Sequence, residues 1–247
     1  MKLFVKIITF PLSVLYWIVF FSILLIFHGF QWIAFNVFGY QAHKKVVDVM
    51  NLFLLKSLLL VGVNYKFKGV KYDKSERPVI IISNHQSMFD IPPIVWYFRK
   101  FHPKFIAKEE LGKGVPGISY NLRHGGSVMI DRGNRLSAMK AIVTIGRYIN
   151  ETFRSVVIFP EGTRSVDGRV KEWKYGGLIT LFKTSPDAKV IPVTIDGSWK
   201  ILKNKGWPVP FGFTVTCTAH PALDIDHSDV PQFIERLKQI VEAPLTT

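Results

Sequence analysis

The sequence predicts an α/β domain, a mixed and mostly parallel sheet flanked by helices, that carries an N-terminal membrane-associated helical segment. Three observations lead there. Positions 7–43 hold no Asp, Glu, Lys or Arg. Past Gly62, short apolar runs alternate with stretches of helical period. Several of those runs are continuous rather than alternating, the form taken by strands buried on both faces.

As one straight helix the uncharged segment would be ~55 Å long, too long for a single crossing of a ~30 Å hydrocarbon core. Pro11, Gly29 and Gly39 offer breaks, so a tilted span, a hairpin and a helix lying in one leaflet all remain open. The apolar run is too long for a signal peptide, and no small-residue cleavage site follows it. Lys2 and Lys6 precede the run and Lys44 and Lys45 follow it. A segment that dips into one leaflet leaves both pairs on the cytoplasmic side of the cell membrane, the side that positive charge favours. Trp17, Trp32 and Tyr40 are residues of the kind that settle at the interface. A second apolar stretch, 46–61, is relieved only by Asp48, Asn51, Lys56 and Ser57. It is a second helix, packed on membrane, on the first helix or on the domain, or else the buried core helix of a soluble protein. The expected division is therefore 1–61, N-terminal membrane-associated helices, and 62–247, an α/β catalytic domain.

Within that domain, 79–82, 128–130, 156–159 and 190–195 read as buried strands. The alternating runs 63–67 and 213–218 read as edges. After Asn134, a good N-cap, Leu136, Met139, Ile142, Val143 and Ile149 recur at helical spacing and define one apolar face. The single cysteine, Cys217, lies in an alternating run and reads as a small buried hydrophobe. No disulfide is needed, so a reducing compartment is expected.

The formal net charge of +14 calls for an anionic partner: nucleic acid, an acidic lipid headgroup or a phosphorylated substrate. The apolar, aromatic N-terminus favours lipid. Nucleic acid ranks last, because no base-stacking motif accompanies the charge. Lysine clusters such as Lys200, Lys203 and Lys205 read equally well as solvated surface.

Two blocks carry chemistry. The strand at 79–82 runs into Ser83-Asn84-His85-Gln86-Ser87-Met88-Phe89-Asp90, followed by Ile91-Pro92-Pro93. Five helical steps leave His85 and Asp90 about 140° apart, so they meet only across a strand-to-helix turn. There the carboxylate would accept from one ring nitrogen, fix the tautomer and leave the other nitrogen free to take a proton. The competing reading is that Asp90 caps a helix starting near Ile91. The second block is Phe159-Pro160-Glu161-Gly162-Thr163-Arg164-Ser165 at the end of a strand. It suits a phosphate cradle, with Arg164 offering a fork of donors, and it suits a salt-bridged turn equally well.

Taken in order and spacing, these blocks resemble the glycerolipid acyltransferase family, most closely the 1-acyl-glycerol-3-phosphate acyltransferases. The likeness extends to Lys108-Glu109-Glu110-Leu111, Pro116, Gly126 and Asp131-Arg132, and to Val190-Ile191-Pro192-Val193. Ser119 stands where the family usually has glycine, and Trp173-Lys174-Tyr175-Gly176 departs from the family's usual run after the arginine block. The resemblance implies direct transfer of a fatty acyl group from a thioester to the 2-hydroxyl of lysophosphatidic acid, giving phosphatidic acid. His85 is then the general base, oriented by Asp90. Glu161, Gly162, Thr163 and Arg164 form the acceptor site, and Lys108 and Arg132 are further candidates for the phosphate, although Asp131 could pair Arg132 structurally. No metal and no cofactor is implied beyond the co-substrate, an acyl carrier protein or coenzyme A thioester. The partners expected are that thioester, lysophosphatidic acid and anionic membrane lipid. Rival readings are a glycerol-3-phosphate acyltransferase, a covalent route through Ser87, and a noncatalytic basic membrane-binding protein.

Overall fold

The computed structural model describes residues 2–73, 75–130 and 135–246. The first helix, α1 (Lys2–Ser57), runs through Pro11 and Gly29 and breaks at Gly39, whose φ of 76° and ψ of −170° are open only to glycine. The two arms, 2–38 and 40–57, fold back on each other. The rings of Phe27 and Phe53 lie 5.6 Å apart, Gln31 Nε2 approaches Met50 Sδ at 3.2 Å, and His43 Nε2 meets Gln31 Oε1 at 3.3 Å. Partners that move toward Gly39 from both sides mean antiparallel arms, so the hairpin is the form adopted. The second apolar stretch is its return arm, extended by a 3-10 turn at Leu58–Val61.

Beyond the hairpin the strands β1 (Asn64–Gly69), β2 (Val79–Ser83), β3 (Lys104–Lys108), β4 (Val128–Ile130), β5 (Ser155–Ile158), β6 (Lys189–Asp196), β7 (Thr214–Ala219) and β8 (Leu223–Asp224) form one sheet. Its order is β1-β7-β6-β2-β5-β3-β4, with β8 also on β6. Pairing is parallel except for β6 with β7 and β6 with β8. The expected mixed, mostly parallel sheet is present. Two placements differ from expectation. The strand β7 lies between β1 and β6 rather than at an edge, because it pairs parallel with one and antiparallel with the other. The strand β4 closes one end of the sheet and is half-buried, so its continuous apolar run does not signal burial on both faces.

Alternate side chains of the central strands enter opposite layers. Ile80, Ile82, Val156, Ile158 and Val190 pack under α4 (Arg135–Thr152), α5 (Tyr175–Thr184) and α6 (Val230–Glu242). On α4 the buried face is Ile142, Ile145 and Ile149, whereas Leu136, expected on that face, is 65% exposed. The other sheet face, with Val79, Ile81, Val157, Ile191, Val193 and Cys217, is covered by α2 (Ile91–Tyr97) and the hairpin. There Tyr16, Phe20, Leu24, Val47, Met50, Leu54 and Leu58 are buried in the same cluster as the strands. The N-terminal helices therefore supply one of the three layers. Burial pushes the Cys217 thiol up to about 12, which fits an inert core residue.

Candidate active site

The carboxyl ends of β2, β5, β3 and β4 share one edge of the sheet, the edge where open α/β folds place their ligands. Directly after β2, Asn84 extends the sheet with its side chain: Nδ2 donates to Ile195 O and Oδ1 accepts from Ile195 N, both at 2.8 Å. That bond pair fixes where His85 leaves the strand. Ser87 then caps a 3-10 turn, Met88–Asp90, and Asp90 answers it in a reciprocal capping box.

Asp90 is fully buried, and four donors converge on it. Its Oδ2 accepts from Gln86 N at 2.7 Å, from Ser87 N at 2.9 Å and from His85 Nδ1 at 2.8 Å, while Oδ1 accepts from Ser198 Oγ at 2.5 Å. Its side chain makes no cap bond to α2. Asp90 thus orients His85 and closes the turn before the helix, and does not cap the helix itself. With Nδ1 donating to a carboxylate, Nε2 is the nitrogen left with a lone pair. Among the described residues no group hydrogen-bonds Nε2. The imidazole is stacked on Phe159, centroids 4.1 Å apart and planes 18° apart, which fixes the remaining rotation of the ring.

The second block grips the first through backbone. Glu161 Oε1 accepts from His85 N at 2.7 Å, its Oε2 accepts from Lys171 N at 3.0 Å, and Ser165 N donates to His85 O at 2.7 Å. Two motifs some seventy positions apart therefore build one object. Glu161 is 3% exposed, and its burial pushes the carboxyl above its ordinary range, an effect the two N–H donors oppose. Both of its oxygens are taken, so it faces the His85 loop. Gly162 adopts φ +69°, the left-handed region that favours glycine, while a Cβ there would meet only the flexible end of Lys174, 3.1 Å away at Nζ. Thr163 and Arg164 are exposed. Lys171 Nζ donates to Thr163 Oγ1 at 3.2 Å and to Arg164 O at 2.7 Å. Arg164, Lys171 and Lys174 make this loop strongly cationic. Lys108 ends β3 on the same sheet edge and is exposed. Arg132 lies outside the described residues.

One contributor lies outside both motifs. Ser198 comes from the far end of β6, and Gln86 ties that end to the second block: Oε1 accepts from Gly197 N and Ser198 N, and Nε2 donates to Gly168 O. Ser87 Oγ is buried and accepts from Phe89 N at 3.2 Å, a capping role that leaves it poorly placed as a nucleophile.

A family model described as Acyltransferase matches residues 64–196, more than half of the chain. The chain belongs to the acyltransferase family. The matched span of this acyltransferase runs from β1 to the end of β6 and includes His85, Asp90, Lys108 and the 161–164 loop. Among curated proteins, the 1-acyl-sn-glycerol-3-phosphate acyltransferase of Limnanthes douglasii is 28% identical over 184 residues, 73% of this chain and 62% of that one. The protein of that name from Helicobacter pylori is 34% identical over 153 residues, 59% of each chain. The chain spans about half to three-fifths of the length of the curated relatives it matches first. Among solved structures, the 1-acyl-sn-glycerophosphate acyltransferase PlsC of Thermotoga maritima shares the fold, with a TM-score of 0.78 at 24% identity over 97% of this chain and 95% of that one.

Proposed function

We propose that this acyltransferase moves a fatty acyl group from a thioester to the 2-hydroxyl of 1-acyl-glycerol-3-phosphate, giving phosphatidic acid. The observation that carries the reading is the His85–Asp90 pair, 2.8 Å apart, with Nε2 unclaimed beside a cationic loop. In the step, Nε2 takes the hydroxyl proton as the acceptor oxygen bonds to the thioester carbonyl carbon. Collapse of the tetrahedral adduct breaks the C–S bond, and the imidazolium returns its proton to the sulfur. A thiol with a pKa of ~8.5 is a good leaving group, so the chemistry asks for a base and little else. Arg164, with Lys108 and Arg132, holds the acceptor phosphate, and Gly162 and Thr163 shape the loop that presents it. Glu161 acts as a positioning residue through the His85 backbone. The donor is an acyl carrier protein or coenzyme A thioester.

The substrate's chain remains in lipid during this reaction, and the outer face of α1 supports that. Ile18, Phe21, Leu25, Ile26, Phe30 and Val37 are more than half exposed, an apolar ridge that stays in water only at high cost. The opposite face is packed on the domain from Tyr16 to Ala34, so the helix lies along the domain, which supports a seat in one leaflet over a crossing. We place that leaflet on the cytoplasmic side of the cell membrane. The test is the purified full chain offered both donors crossed with two acceptors. The reading expects transfer to 1-acyl-glycerol-3-phosphate well above transfer to glycerol 3-phosphate, and preference for the latter would overturn it.

A further inference from the structure

We infer that the segment 198–212 is a second membrane-contact element, docking on the anionic surface of the same leaflet beside the hairpin. This rests on the membrane reading above and adds a separate point of attachment to it. The segment begins at Ser198, the hydroxyl donor to Asp90, as the 3-10 turn Ser198–Leu202. It then fastens to the first arm of α1. Trp17 Nε1 donates to Gly206 O at 3.0 Å, Val209 N donates to Ser13 Oγ at 3.0 Å, and Phe10 meets Trp207 edge-on at 6.0 Å. Gly206 lets the two approach, since with φ +80° its Cβ would lie 3.3 Å from the Trp17 ring.

What the segment presents outward is the combination that interfaces favour. Trp207, 45% exposed, stands against Phe10 at the edge of the exposed apolar ridge that includes Val14, and Phe211, 47% exposed, lies beside Gly62 at the end of the hairpin's return arm. The same short segment carries Lys203 and Lys205, both exposed, and the half-exposed Lys200. The ammonium groups of Lys200 and Lys203 lie 5.8 and 5.6 Å from the centre of the Trp199 ring. Among the described residues none of the three lysines forms a salt bridge. Exposed aromatic rings that share a short segment with cations lacking a protein counter-ion complement a surface of anionic lipid. An acidic carrier protein would answer the lysines alone and leave the rings in water. Because one end of the segment holds Asp90 and the other holds α1, its depth at the interface fixes the depth of His85.

The test uses the full chain, diluted from detergent into vesicles of phosphatidylcholine alone or of phosphatidylcholine mixed with phosphatidylglycerol, with bound protein read by flotation. Lys203→Gln with Lys205→Gln should weaken binding to the mixed vesicles by about five-fold per lysine, leave binding to phosphatidylcholine alone unchanged, and leave turnover of detergent-dispersed acceptor unchanged. Trp207→Ala with Phe211→Ala should weaken binding to both. If wild type fails to bind either vesicle, the membrane reading itself is wrong. If wild type binds and the lysine variant binds the mixed vesicles equally well, this inference alone is wrong. A variant that keeps its vesicle binding yet loses rate only with the carrier protein donor would assign the lysines to that protein and overturn the lipid assignment.

Discussion

Asp90 decides which nitrogen of His85 can accept a proton. Its carboxylate collects two backbone N–H groups, the ring N–H and the Ser198 hydroxyl. Asp90→Asn puts an amide where only acceptors satisfy those donors, and it lets the ring adopt the other tautomer. Turnover should fall on the order of 10²- to 10⁴-fold with the fold retained by circular dichroism. Ser198→Ala removes one donor of four and should cost far less; equal losses in the two variants would show that orientation by Asp90 is not the issue. Arg164 is a separate matter. Its guanidinium is exposed, so the lost phosphate contact sits at the low end for charge-assisted bonds, and Arg164→Ala should raise the acceptor KM about tenfold with the donor KM unchanged. Equal shifts in both constants would remove Arg164 from the acceptor site. At this scale the sequence was informative where partners are local. His85, Asp90 and the 161–164 loop sit in two short blocks, whereas Ser198 joins them only because β6 ends beside β2, a pairing no spacing reveals. Phe159 reads from sequence as the end of a strand, and its stacking on the imidazole becomes visible only once β5 lies against β2.

Among the elements, β3 sets a buried amine against the hairpin tip. Lys104, 5% exposed at the start of β3, donates to Tyr40 Oη at 2.7 Å just past the Gly39 break. Burial, then the nearby Arg154 and Lys44 cations, push its amine down to about 7 from 10.5, with Asp48 opposing. Between those values the unfolded chain holds the proton that the native state has released, so stability rises with pH from about 7 toward 10.5 and is lost as pH falls through about 7. Lys104→Met should flatten that slope in denaturant midpoints measured across the window. An unchanged slope would mean that Lys104 is not the group responsible. Neither this contact nor β3 itself was legible beforehand. Lys104 and Lys108 bracket only three less polar residues, too short a run to signal a strand. The hairpin stayed one option of three because Pro11, Gly29 and Gly39 look alike as breaks until backbone angles distinguish them. By contrast β2, β5 and β6 were plain as continuous apolar runs, since both of their faces are covered.

For the whole molecule the hairpin is both a layer of the core and the face proposed to meet lipid. Deleting residues 1–60 uncovers Val79, Ile81, Val157 and Ile191, so the remaining chain should fail to give a folded domain by near-ultraviolet circular dichroism. A truncated chain that folds and works at full rate on vesicle-held acceptor would reduce the helices to a tether. The proposed chemistry depends on proton transfer at His85, which one variant addresses. His85→Ala, purified as the full chain and assayed at saturating donor and acceptor, should lose on the order of 10²- to 10⁴-fold in kcat while both KM values stay within a few-fold of wild type. Wild-type-like turnover in that variant would contradict the mechanism, whatever the remaining geometry suggests.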